Sequence, residues 1–190
     1  GVQYHRLLDI GREFVEQRAP RNAAQRLLRW SLRQTLPYTQ RVAPLVRLAQ
    51  WFRPILPGQL GKKIPPRQTP IATPTTTHAR KMLLLAGCVQ PIMTPRTNQA
   101  TRTVLDKLGI EVIEAPQASC CGALSQHLNA GEEAKTFMRR NIDAWWPYIE
   151  QDAEAIIMTA SGCGAMVKDY ATYLQHDPAY ADKAKRISAL

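Results

Sequence analysis

Residues 118–124 read Ala118-Ser119-Cys120-Cys121-Gly122-Ala123-Leu124. This stretch decides the reading, because the 190 residues hold only 4 cysteines and two of them sit here. The other two lie in matching settings, Ala86-Gly87-Cys88 and Ser161-Gly162-Cys163-Gly164. Each of these follows an apolar run, Met82-Leu83-Leu84-Leu85 or Ala155-Ile156-Ile157-Met158. Short continuous apolar runs bounded by small residues are the pattern of strands buried in a parallel sheet. A strand, then small residues, then cysteine is thus used twice. The cysteine pair follows a third expected strand at 110–115. Ligands of open α/β sheets bind at the carboxyl ends of the strands, so all four thiols are expected to meet there.

Outward from the pair, strands are expected over 81–86, 110–115 and 154–160. Helices are expected over 95–108, 123–129, 132–150, 164–174 and 178–190, with Gly109 ending the first and Pro147 bending or ending the third. This alternation predicts an α/β fold: a small Rossmann-like parallel sheet with right-handed crossovers. An α-helical region and a Pro-rich linker precede it. Helices are expected over 1–18 (Val2, Leu7, Leu8, Ile10, Phe14 and Val15 largely on one face), over 21–36 with Pro37 as its stop, and over 44–52 with Pro44 in its first turn. Six prolines and Thr75-Thr76-Thr77 mark 53–80 as extended and weakly ordered. The expected units are therefore a basic helical region at 1–52, a linker at 53–80 and a cysteine-rich unit at 81–190. No internal repeat is visible.

The net charge of +10 is uneven: residues 1–81 hold 15 Lys/Arg and 3 Asp/Glu, residues 82–190 hold 10 and 12. Such asymmetry points to two parts with different work and to an anionic partner for the first. The stretch from Arg26 to Arg53, with Trp30 and Trp51, suits packing on a partner protein or an anionic membrane face. Nucleic acid is not expected, since no zinc-finger or helix-turn-helix pattern accompanies the charge. No secretory signal is visible, and no apolar run approaches the ~20 residues of a membrane span. The cytoplasm is the expected compartment, possible peripheral membrane contact included. The chain opens on glycine without an initiator methionine, as a fragment or processed product would.

Cysteines without an export signal favour reduced thiols, metal ligation or redox chemistry over structural disulfides. No Cys-x-x-Cys occurs, which argues against a zinc ribbon, a thioredoxin-type site and an ordinary ferredoxin run. Four thiolates from three strand ends suit an iron–sulfur cluster, because soft sulfur ligands suit iron–sulfur and zinc. Gly87, Gly122, Gly162 and Gly164 would let backbone approach such a group and offer N–H to its sulfurs. Two other readings stand beside this one: redox thiols, with a strained vicinal disulfide at Cys120-Cys121, and buried cysteines that are structural. His127 is a weak candidate ligand; His5, His78 and His176 are weaker. Asn141, Asp143, Trp145 and Trp146 form a patch that suits helix packing or an interface anchor. Lys168 and Asp169 are expected to face solvent.

Gly87-Cys88, Cys120-Cys121-Gly122 and Ser161-Gly162-Cys163-Gly164 resemble the cysteine-rich CCG domain. That domain is found in heterodisulfide reductase subunits, lactate-oxidation proteins and glycolate oxidase (glycolate dehydrogenase) iron–sulfur subunits. The last are the more similar, through residues 4–12, 141–147 and 159–165. The resemblance covers essentially the whole chain. It implies Cys88, Cys120, Cys121 and Cys163 as ligands of a [4Fe–4S] cluster in an electron-transfer subunit. It also implies FAD on a separate flavin-bearing partner that oxidises glycolate, with electrons passing toward a quinone. A complete subunit of that family has an N-terminal ferredoxin-like region and two CCG domains, so this chain resembles its middle and should not oxidise glycolate alone. The family's fuller motif ends Cys-x-x-Cys. Here Met166 takes the last place, and a thioether is a weak neutral ligand, so a five-thiolate cluster is not expected. A cluster-free scaffold that docks the flavin and ferredoxin-like parts is the alternative.

Overall fold

The computed structural model describes residues 4–190. Val2 of the expected first helix lies outside the described residues, as do the side chains of His5, Arg6 and Leu60. The chain begins with α1 (Tyr4–Arg18), α2 (Ala23–Thr35), α3 (Thr39–Phe52) and α4 (Gly58–Lys63). Asn22 caps α2 by accepting the Gln25 N–H at 2.9 Å, and the helix ends just before Pro37. Two features differ from the sequence expectation. α3 starts five residues before Pro44 and runs through it, forgoing one backbone bond. α4 falls inside the expected linker, where Gly61 and the Pro57–Gly58 start support one short helix between prolines.

β1 (Arg80–Leu85) is the middle strand of a parallel sheet of order β2-β1-β3. Leu83, Leu84 and Leu85 are buried, which is why the run is apolar on both faces. α5 (Gln90–Met93), a turn unforeseen in the sequence, and α6 (Pro95–Lys107) lead to β2 (Ile110–Ile113). Gly109 makes the turn between α6 and β2 at φ +72°. α7 (Ala123–His127) and α8 (Gly131–Ile149) lead to β3 (Ile156–Met158). β2 pairs with Arg80–Leu83 and β3 with Leu83–Leu85. The chain leaves β1 to one side and later returns to its other side, so the β1/β3 boundary is a switch point with a crevice at its carboxyl end.

α8 continues through Pro147 in its last turn, forgoing one backbone bond there as α3 does at Pro44. α9 (Ser161–Lys168) begins three residues earlier than its sequence suggests, and Asp169 interrupts it before α10 (Tyr170–Tyr173) and α11 (Ala181–Ala189). The core lies between sheet, α8 and the last three helices: Leu83, Met138, Ile142, Trp145, Ile149, Val167, Leu174 and Ile187 are all buried. The fold is thus the expected α/β arrangement, a small parallel sheet preceded by helices. Those helices are fastened to the sheet unit. Tyr173 donates to Asp9 Oδ2 (2.6 Å), Asn129 Nδ2 donates to the Arg12 carbonyl (2.9 Å), and Arg33 lies 3.6 Å from Glu133. Among the described residues no helix is long and apolar enough to cross a membrane.

Candidate metal centre

Cys88 follows β1, the pair Cys120-Cys121 follows β2, and Cys163 lies in the first turn of α9 after β3. All four are free thiols. They are neighbours in a row: the Cys88 thiol interacts with Cys120, Cys120 with Cys121, and Cys121 with Cys163. The middle two are 2% and 3% exposed and the outer two half-buried. Neighbouring backbone N–H groups favour negative charge on the sulfurs: Val89 at Cys88, Gly122 at Cys120, Ala123 at Cys121. Such donors favour negative sulfur.

Crowding opposes them. The Cys120 thiol and burial push Cys88 far above the ordinary thiol range. Contact with Cys121, and burial, push Cys120 up to about 11, against the pull of Cys88. Cys121 stands at about 12, because Cys163 and burial outweigh the stabilising contact from Cys120. Cys163 is lowered by its bond from Cys121, so the negative charge settles first at that end of the row. Four adjacent thiolates repel one another and require a compensating cation to ionise together. Among the described residues no group of three or more His, Cys, Asp or Glu is arranged to hold a single metal ion. A purely sulfur donor set with N–H groups on the sulfurs fits an iron–sulfur group instead.

Buried amides hold the loops that carry these thiols. Asn141, wholly buried on α8, accepts the Ser119 N–H (2.9 Å) and donates to the Cys120 carbonyl (2.9 Å) and to the Tyr170 hydroxyl (3.1 Å). Tyr170, also wholly buried, donates to the Cys121 carbonyl at 2.9 Å. Arg140 donates to the Ser119 hydroxyl. Around Cys88, buried Asn98 donates to the Ala86 carbonyl (3.2 Å), while Gln90 and Thr159 both bond to its Oδ1 (3.0 and 2.7 Å). Thr39 of α3 donates to the Cys88 carbonyl at 2.9 Å, which ties the helical region directly to the site. Thr39→Val is expected to cost about 1 kcal/mol, as for one lost hydrogen bond. A urea midpoint unchanged by this substitution would show that the tie contributes nothing.

The four glycines divide into two kinds. Gly87 and Gly122 have φ of +81° and +89°, where glycine is favoured. A Cβ on Gly122 would also meet the Ala134 carbonyl oxygen at 3.0 Å, so the pair packs tightly on α8. Gly162 and Gly164 are helical residues of α9 with open surroundings, and the Gly164 N–H already bonds the Ala160 carbonyl. His127 is engaged with α1, accepting a bond from Arg12 at 3.1 Å and lying 3.8 Å from Asp9. His78 pairs with Asp106 at 2.9 Å, near the amino end of β1. Met166 is buried in the core. In the tryptophan patch Trp145 is core, while Trp146 donates to Glu150 at 2.7 Å and Asp143 accepts from Tyr180 at 2.8 Å, so packing accounts for it. Sequence reasoning missed Tyr170, Asn98, Gln90 and Thr39. Asn141 had a usable signal: it stands in the i, i+4 series Phe137, Asn141, Trp145, Ile149, a polar residue on an apolar stripe.

Residues 82–168 match the cysteine-rich CCG domain. Over its full length the chain is 49% identical to the glycolate oxidase iron–sulfur subunit of Escherichia coli strain K12, of which it covers 47%. The probable glycolate oxidase iron–sulfur subunit of Bacillus subtilis strain 168 is 25% identical over 97% of the chain and 47% of that relative. Lactate utilization protein A of the same organism is 30% identical over 57% of the chain and 43% of its own length. The chain therefore spans about half the length of these relatives. No solved structure matches it. The chain carries a CCG cysteine-rich domain and, along its whole length, is similar to part of the glycolate oxidase iron–sulfur subunits.

Proposed function

We propose that this chain is the part of an iron–sulfur electron-transfer subunit that serves a glycolate-oxidising complex. Cys88, Cys120, Cys121 and Cys163 hold the cluster, a [4Fe–4S] group, with Met166 taking no part. The observation that carries this reading is the row of four thiols at the carboxyl end of the sheet, with backbone N–H groups directed at its sulfurs. The similarity to iron–sulfur subunits supports it. A bound cluster would supply one-electron chemistry at a potential set by its surroundings. The chain's own work is to provide the thiolates, exclude water from Cys120 and Cys121, and direct N–H dipoles at the sulfurs.

The partners in this reading are a flavin-containing subunit, which bears the FAD and oxidises glycolate, and a quinone acceptor. The complex works on the cytoplasmic side, in peripheral contact with the membrane. The working units are 1–52 for docking, 53–80 as connection and 81–190 for the cluster. Anaerobic reconstitution of the chain with iron and sulfide tests the core of this proposal. About four irons per chain are expected. Cys120→Ser and Cys163→Ser should each lose them and the reduced-state EPR signal. A folded chain that takes up no iron would overturn the electron-transfer reading and leave the scaffold role in its place.

A further inference from the structure

Consecutive residues of an extended chain send their side chains to opposite faces. Cys120 and Cys121 nonetheless meet a common row of thiols, so something must fix the two peptide planes between them and Gly122. In a trans peptide the C=O and the following N–H lie in one plane and point in opposite directions. The Cys121 carbonyl accepts the Tyr170 hydroxyl at 2.9 Å on the core side. The Gly122 N–H of the same plane must then face the other way, on the side where it favours negative charge at Cys120. Asn141 completes the arrangement. Its Nδ2 donates to the Tyr170 oxygen at 3.1 Å, which commits the hydroxyl proton to Cys121, and to the Cys120 carbonyl at 2.9 Å. Its Oδ1 fixes the Ser119 N–H ahead of the pair. Both side chains are fully buried, so no solvent competes for these groups.

We propose that Tyr170 and Asn141 are positioning residues that fix the Cys121–Gly122 peptide plane and so aim the Gly122 N–H at the side of the Cys120 sulfur. Where it concerns a bound cluster, this rests on the electron-transfer reading above. The peptide geometry does not. Tyr170→Phe removes the hydroxyl and keeps the ring.

Hydrogen exchange followed by NMR on the whole chain tests the geometry without iron. Losing one aligned hydrogen bond should speed exchange at the Gly122 amide by about ten-fold, with the β1 and α11 amides unchanged. Tyr180→Phe, whose hydroxyl bonds Asp143, is the control and should leave Gly122 alone. Unchanged Gly122 exchange in Tyr170→Phe would overturn the proposal whether or not the chain binds iron. If that variant does not fold, Asn141→Ser is read in the same way, because it frees the Tyr170 hydroxyl to rotate. In reconstituted protein, Tyr170→Phe should keep its iron and shift the EPR-monitored midpoint potential to more negative values, since an N–H bond to sulfur favours the reduced state. Full iron with an unshifted potential would overturn the placement of that N–H against a cluster ligand. A wild-type chain without iron would count against the electron-transfer reading alone, and the exchange result would still decide this one.

Discussion

Gly122→Ala is expected to destabilise the chain by about 3 kcal/mol, from two separable causes. The backbone at φ +89° is left-handed, which costs an L-residue about 1–2 kcal/mol. The added methyl would also stand 3.0 Å from the Ala134 carbonyl oxygen and 3.4 Å from Phe137 Cβ. Backbone on α8 cannot rotate away as a flexible side chain can, so overpacking adds about 1–3 kcal/mol. Gly87→Ala isolates the first cause, because its φ is +81° but a Cβ there meets nothing within 4 Å. Its expected cost is about 1 kcal/mol. Urea denaturation of the two variants measures the difference. Equal losses would show that α8 yields to the methyl and that the pair is not tightly seated.

The second large effect is Asn141→Leu, expected to cost about 3–4 kcal/mol. Leucine has a similar size, so little of this comes from a cavity. The cost arises because the Ser119 N–H and the Cys120 carbonyl lose their partners in a buried setting. Each unsatisfied buried group costs about 1–3 kcal/mol. The Tyr170 hydroxyl also loses its donor, and linked polar groups weaken together. The variant should lose iron uptake alongside stability, because the pair's carbonyls are no longer held to the core. A loss below about 1 kcal/mol would mean that water replaces the amide, and the clamp would then not be rigid.

The sheet was legible because its signals are local. Met82-Leu83-Leu84-Leu85 and Ile156-Ile157-Met158 are apolar without alternation, as strands covered on both faces must be. A glycine or serine-glycine step then marks each strand's end. Parallel pairing makes those ends coincide, so the meeting of four cysteines followed from topology alone. The helix starts were less legible. Pro44 invites a helix beginning at itself, yet α3 begins at Thr39, where Thr39 and Val42 gain contacts with the Cys88 loop and the protein interior. Ser161-Gly162-Cys163-Gly164 has the composition of a loop, yet it forms the first turn of α9. Packing of Met166 and Val167 overrides the weak helix preference of glycine there. The clamp was illegible for another reason. Tyr170 is 49 residues from the carbonyl it holds, and no local pattern reports a contact at that separation.

That separation also orders the life of the chain. The residues that hold the cysteine pair in place, Asn141 and Tyr170, are both made after it. At about 5–20 residues per second, some ~2–10 s pass between synthesis of Cys121 and of Tyr170. For most of that interval three thiols have been made and the fourth, Cys163, has not, and the set of groups that fixes their backbone is complete only at its end. Long-range contacts of this kind form late in folding, since distant chain segments must first be brought together. The nascent thiols are therefore open to oxidation and to stray metal, and any insertion of a prosthetic group into the finished site must wait until synthesis has passed α10.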